Sequence, residues 1–105
     1  ERNIRRVKFE LGLRYNTTIQ QLNNIMQSIH NYIVNHPDTT EDCFVKFAEF
    51  GSSSLNILVL YYINNNDYAK FLDIREDINF KIMELVQSNN ADFAFPSTSI
   101  YMEKK

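Results

Sequence analysis

Two histidines, one cysteine and a run of carboxylates are the residues here whose types could do chemistry. His30 and His36 stand six apart. Two metal ligands on one helix face need a separation of three or four residues, so this pair does not make a metal site. Cys43 is the only cysteine and lies at no recognisable motif distance from either histidine; it reads as a small core residue, not a nucleophile. Asp73, Glu76 and Asp77 could do acid–base work. Lys70 and Lys81 stand within helical reach of them, which favours a solvated charged face.

Gly51-Ser52-Ser53-Ser54 has the look of a phosphate loop but lacks the glycine spacing and lysine of one, and it joins two strands instead of opening a helix. Tyr61 and Tyr62 fall where an RNA-recognition domain would carry its aromatic platform, without the glycine-aromatic pattern or its leading basic residue. Arg2, Arg5, Arg6 and Lys8 read as a solvated opening segment. No catalytic constellation, metal site or cofactor site is expected.

The elements that must position these residues are legible from periodicity. Val7, Phe9, Leu11, Leu13 and Tyr15 alternate with polar residues, the pattern of a half-buried strand. Thr17 with Gln20, or Thr18 with Gln21, fits a capping box that opens a helix with the stripe Ile19, Leu22, Met26, Ile29 and Ile33. Pro37 ends it. Cys43 to Phe50 and Leu55 to Ile63 form a hairpin about the Gly51–Ser54 connection. A second helix carries Phe71, Ile74, Ile78, Ile82 and Leu85 on its apolar stripe, and Asn89-Asn90 can supply a left-handed residue to close it. Phe93-Ala94-Phe95-Pro96 leads to a last extended segment, Ser99 to Met102. The order β-α-β-β-α-β predicts an α+β fold, a two-layer ferredoxin-like sandwich with both helices on one face of an antiparallel sheet.

The chain has 105 residues, enough for a single domain spanning 1–105 and one core. With 13 acidic against 11 basic residues the formal charge is −2. That balance disfavours nucleic-acid binding by bulk electrostatics, which needs a basic excess. The longest apolar run, Ile57–Ile63, is far short of the roughly 20 residues that span a bilayer. The opening Glu1-Arg2-Asn3 has neither an initiator methionine nor a signal-peptide core, so the chain is expected to be a soluble piece of a longer protein.

One strand is too apolar for its place. Leu55, Ile57, Val59 and Tyr61 serve one face, while Leu58, Leu60 and Tyr62 make the other apolar too, extended by Phe44 and Phe50 on the neighbouring strand. Two readings stand: a central strand covered by the chain ends, or an oligomer contact.

Three stretches, in order, resemble the C-terminal cytoplasmic domain of the small-conductance mechanosensitive channel (MscS) family. Phe9-Glu10-Leu11-Gly12-Leu13-Arg14-Tyr15-Asn16-Thr17-Thr18-Ile19 is similar to the family's strand running into a capped helix. Phe47-Ala48-Glu49-Phe50-Gly51-Ser52-Ser53-Ser54-Leu55-Asn56 resembles its hairpin, in which Gly51 and small residues precede a hydrophobic residue and Asn56. Ile74-Arg75-Glu76-Asp77-Ile78-Asn79, with Ile82, Leu85 and then Phe93-Ala94-Phe95-Pro96, is similar to its second helix and closing Phe-Pro signature. Asn90-Ala91-Asp92 stands where the family usually has a glycine, and Ser97 where a glutamine commonly follows the proline.

The resemblance implies no catalysis. It implies the lower wall of a cytoplasmic vestibule, in a homo-oligomer that is typically a heptamer. Such channels open under bilayer tension and release solutes on hypo-osmotic shock, through membrane helices upstream of Glu1. It further implies that residues 97–104 leave the domain as a strand of an intersubunit barrel, with Ile100 and Met102 between subunits. Phe44, Leu58, Leu60 and Tyr62 are then the expected oligomer interface, and Gly51, Asn56, Phe95 and Pro96 the structural motif residues. The alternative is a stand-alone ferredoxin-like regulatory domain binding a small ligand at a dimer interface.

Overall fold

Alternation builds the first strand, β1 (Ile4–Leu13), in a computed structural model that describes residues 4–94. β1 starts earlier than the pattern Val7–Tyr15 suggests and stops at Leu13. The chain turns there because the Arg14 carbonyl accepts from both the Thr17 N–H, at 3.0 Å, and the Thr17 hydroxyl, at 2.6 Å. Tyr15 is therefore half exposed instead of closing the core.

Of the two possible capping boxes, Thr18 with Gln21 forms at the start of α1 (Ile19–Val34). The Gln21 N–H donates to Thr18 Oγ1 at 3.1 Å, and the Thr18 N–H to Gln21 Oε1 at 2.8 Å. The buried stripe is Leu22, Ile25, Ile29 and Ile33, with Met26 at its margin. Ile19, expected on that stripe, is 77% exposed: it sits in the first turn and is rotated away from the stripe's centre.

β2 (Thr39–Phe50) and β3 (Leu55–Asn64) form the hairpin, β2 beginning before the expected Cys43. Asp67 caps α2 (Tyr68–Ser88), its side chain accepting from the Ala69 N–H at 3.0 Å. Phe71, Ile74, Ile78, Ile82 and Val86 are buried along α2, with Leu85 half-buried at the margin. Asn90 takes φ 60 and the Ala91 N–H reaches back to the Val86 carbonyl at 3.0 Å, the left-handed closure expected of the asparagine pair.

The sheet order is β1-β3-β2, every pair antiparallel, with β3 central. Both helices contribute to one core with the odd-numbered residues of β3, namely Leu55, Ile57, Val59, Tyr61 and Ile63. This is the α+β split β-α-β sandwich. Beyond α2, Phe93 makes an antiparallel bridge to Leu13 on the edge of β1 away from β3, where the fourth strand of such a sheet belongs. The expected terminal strand at Ser99 to Met102 lies outside the described residues.

Candidate functional site

The hairpin turn gathers the motif glycine and asparagine. The Gly51 N–H donates to the Ser54 carbonyl at 2.7 Å, and Ser54 Oγ donates to Asn56 Oδ1 at 2.6 Å. A Cβ on Gly51 would come within 2.9 Å of Asn56 Nδ2 and 3.1 Å of the Ser54 carbonyl oxygen, so any larger residue would have to displace the Asn56 amide and crowd the hairpin backbone. Gly12, paired with Asn56 across β1 and β3, faces the same cluster, with Ser54 at 3.3 Å from where its Cβ would be. The Tyr15 hydroxyl donates to the Gly51 carbonyl.

The departing chain is fastened to the same end of the sheet. The Arg14 N–H donates to the Asp92 carbonyl at 3.1 Å, and the Ala94 N–H to the Gly12 carbonyl at 3.0 Å. Gly51 and Asn56 are thus brought together with Gly12, Tyr15 and Ala94 at one corner. Phe95 and Pro96 lie outside the described residues, as do Ile100 and Met102.

The sheet face away from the helices is the second part of the site. Strand register sets Leu60 between Lys8 and Phe44, Leu58 between Glu10 and Lys46, and Tyr62 beside Arg6. Leu58, Leu60 and Tyr62 are half-buried, and Phe44 is 49% exposed. Among the described residues both helices pack on the opposite face, and the chain ends expected as the alternative cover for this face lie outside the described residues. Phe50 does not join this patch as expected. A β-bulge between Phe47 and Glu49 adds Ala48 to β2, which reverses the side-chain parity beyond it. Phe50 consequently pairs with Leu55 on the other face, where it meets Phe47 edge-on at 5.1 Å and stays 73% exposed.

Several of the residues whose types could do chemistry pack in the core or bond between elements, while Asp73 and Glu76 are exposed on α2. Asp77 accepts from the Tyr32 hydroxyl at 2.5 Å and lies 3.6 Å from His36 Nε2, joining α1 to α2. Lys81 pairs with Glu84 at 3.4 Å and sits over the Tyr32 ring, while Asp73, Glu76 and Asp77 are all exposed, the solvated charged face expected of them. His30 and Cys43 line one cleft between α1 and β2. Burial pushes the Cys43 thiol up to about 11, which keeps it protonated near neutrality, the reverse of what a nucleophile needs. Tyr61 is completely buried between Val7 and Cys43, so only Tyr62 of the tyrosine pair stands on the open face. Burial also raises the Tyr61 hydroxyl well above the usual phenol range. Arg5 turns inward, its guanidinium 5.3 Å from both the Tyr68 and Phe71 rings, while Arg75 lies 5.4 Å from Phe71. Among the described residues no three His, Cys, Asp or Glu side chains gather as a metal site. No helix there is long and apolar enough to cross a membrane.

Residues 7–93 match the family described as "Mechanosensitive ion channel MscS, C-terminal". An uncharacterized MscS family protein of Aquifex aeolicus is 50% identical over 105 residues, covering 98% of this chain and 28% of that protein. The low conductance mechanosensitive channel YnaI of Escherichia coli is 37% identical over 101 residues, covering 94% of this chain and 29% of that protein. The chain therefore spans less than a third of these relatives. In the closed-state crystal structure of Helicobacter pylori MscS the same fold recurs with a TM-score of 0.70 at 19% identity, over 97% of this chain and 39% of that one.

Proposed function

The chain belongs to the MscS family, as its C-terminal domain, and we propose that it is the cytoplasmic assembly module of a tension-gated channel. In this reading the domain does no chemistry. It forms part of the wall of a vestibule below a pore built by other parts of the protein, in a homo-oligomer expected to be a heptamer. The pore releases solutes when hypo-osmotic shock stretches the bilayer.

The observation that carries the reading is the open sheet face. Phe44, Leu58, Leu60 and Tyr62 form a contiguous apolar patch on a small domain whose core is already complete on the other side. Apolar surface of that kind is stable in an assembly and a liability in isolation. The bridge from Phe93 to Leu13 supports the second half of the proposal, because it directs the chain out along the edge of β1. Residues 97–104 would leave from there to join equivalents in other subunits, with Ile100 and Met102 packed between them. Phe95 and Pro96 would set that departure, and Gly51 and Asn56 the hairpin beside it.

The test is survival. The full-length protein, expressed in bacteria stripped of their own tension-gated channels, is expected to raise survival after abrupt dilution from high to low osmolarity. Survival no better than the empty vector, with the protein detected in the membrane, would overturn the proposal.

A further inference from the structure

A cleft of about 500 Å³ opens between β1 and α2. Arg6, Val7, Lys8 and Phe9 line it from β1, and Arg75 and Asn79 from α2. Consecutive residues of a strand alternate between its faces, so a cleft that takes both sets runs along the strand's edge. That is the edge away from β3, where the Gly12 carbonyl and the Arg14 N–H bond to the returning chain. The same parity turns the backbone N–H and carbonyl of Arg6 and Lys8 outward.

The lining carries three cations and no carboxylate, on a chain whose net charge is −2. At about 100° per residue, Phe71, Arg75 and Asn79 lie within about 80° of one another on α2, whereas Asp73, Asp77 and Glu84 lie at least about 160° from Arg75. The nearer carboxylates, Glu10 on β1 and Glu76 about 100° round α2, are outside the lining. The ion pairs His36–Asp77 and Lys81–Glu84, the two among the described residues, use none of the three cations. A fourth guanidinium stands behind them. Arg5 and Arg75 lie 5.3 and 5.4 Å from the Phe71 ring, and the buried Arg5 Nε has no hydrogen-bond partner among the described residues. Cations gathered without counter-charge repel one another, and a bound anion relieves that repulsion.

We propose that this cleft binds a hydroxyl-bearing phosphate monoester. Its dianion meets Arg6, Lys8 and Arg75, the two guanidinium forks matching the phosphate oxygens. The outward carbonyls of Arg6 and Lys8 and the Asn79 amide serve the hydroxyls, over the apolar floor of Val7 and Phe9. Soluble polyol phosphates and phosphate-bearing lipid headgroups share this chemistry. Binding here needs only the single domain and is independent of how copies assemble.

Isothermal titration calorimetry on the full-length protein in nanodiscs of zwitterionic lipid tests it, with glycerol 3-phosphate and the soluble lipid dihexanoyl phosphatidic acid as probes. Saturable binding is expected, tighter for glycerol 3-phosphate if the source is a solute and tighter for the lipid if it is a headgroup. Arg75→Gln and Lys8→Gln are each expected to weaken it about tenfold or more, the loss of one charge-assisted hydrogen bond. Both side chains are exposed, and an unchanged thermal midpoint checks that each variant folds. Lys70→Gln, about 140° round α2 from Arg75, is expected to bind as the wild type does. Saturable binding of neither probe at millimolar concentration would overturn the proposal. So would binding that Arg75→Gln and Lys8→Gln leave unchanged, or that Lys70→Gln weakens equally.

Discussion

At the scale of single residues, two positions have consequences that can be measured apart from any assembly. Gly51 is fixed by its neighbours and not by its own dihedral angles, since a Cβ there meets Asn56 Nδ2 at 2.9 Å and the Ser54 carbonyl at 3.1 Å. One of those atoms is backbone and cannot swing aside. Gly51→Ala is expected to cost about 1–3 kcal/mol of stability in urea unfolding, in line with other overpacked sites. At Gly12 the nearest contacts are Ser54 side-chain atoms at 3.3 Å, so Gly12→Ala is expected to cost less. Cys43 is the second position. Its thiol is pushed from 9.0 to about 11 by burial. The raised folded value means that the stability linked to the neutral thiol is intact below pH 9 and is lost as pH rises through about 11. A thiol reagent at neutral pH is expected to label Cys43 only once denaturant opens the fold; rapid labelling of the native protein would contradict its burial. The sequence showed Cys43 as a core residue because it had no partners in register. It did not show Phe50 leaving the open face, because a one-residue bulge changes parity without changing composition.

At the scale of elements, α1 and the hairpin follow closely from local pattern. The Thr18–Gln21 box is a local device, and its two bonds form as the spacing allows. Gln21 also reaches across to the Asn89 carbonyl at 2.7 Å, so the start of α1 is tied to the end of α2. Thr18→Ala is expected to cost about 1 kcal/mol, read as a lower midpoint in thermal or urea unfolding with an unchanged fold by circular dichroism. What local pattern concealed was the exposure of large apolar side chains on α2. Counting inward positions finds Phe71, Ile74, Ile78 and Ile82 and treats everything else as a solvated face. Leu72, Phe80 and Met83 stand among charges in the sequence, and only the folded chain separates them from the buried positions. The surplus on β3 was legible because strict alternation makes a second apolar face visible at once. Whether another layer covered that face was not legible, because it depends on how distant elements pack.

At the scale of the whole molecule, the three family stretches converge in space, which explains why their order and spacing identified the family when no single stretch did. The β1-to-α1 stretch supplies Gly12 and Tyr15, the hairpin stretch supplies Gly51 and Asn56, and the segment after α2 returns to pair with Leu13. Together they hold the exit of the chain at one corner of the sheet, beside an open apolar face. A small domain with a finished core and an apolar sheet face that no described element covers fits the assembly role proposed for it. The measurement that tests this account most directly is a patch recording of the full-length protein in a membrane lacking other tension-gated channels, with suction applied stepwise. The account predicts discrete conductance steps whose open probability rises with suction. Silence up to the tension at which the patch ruptures, with assembled protein present in the membrane, would contradict it.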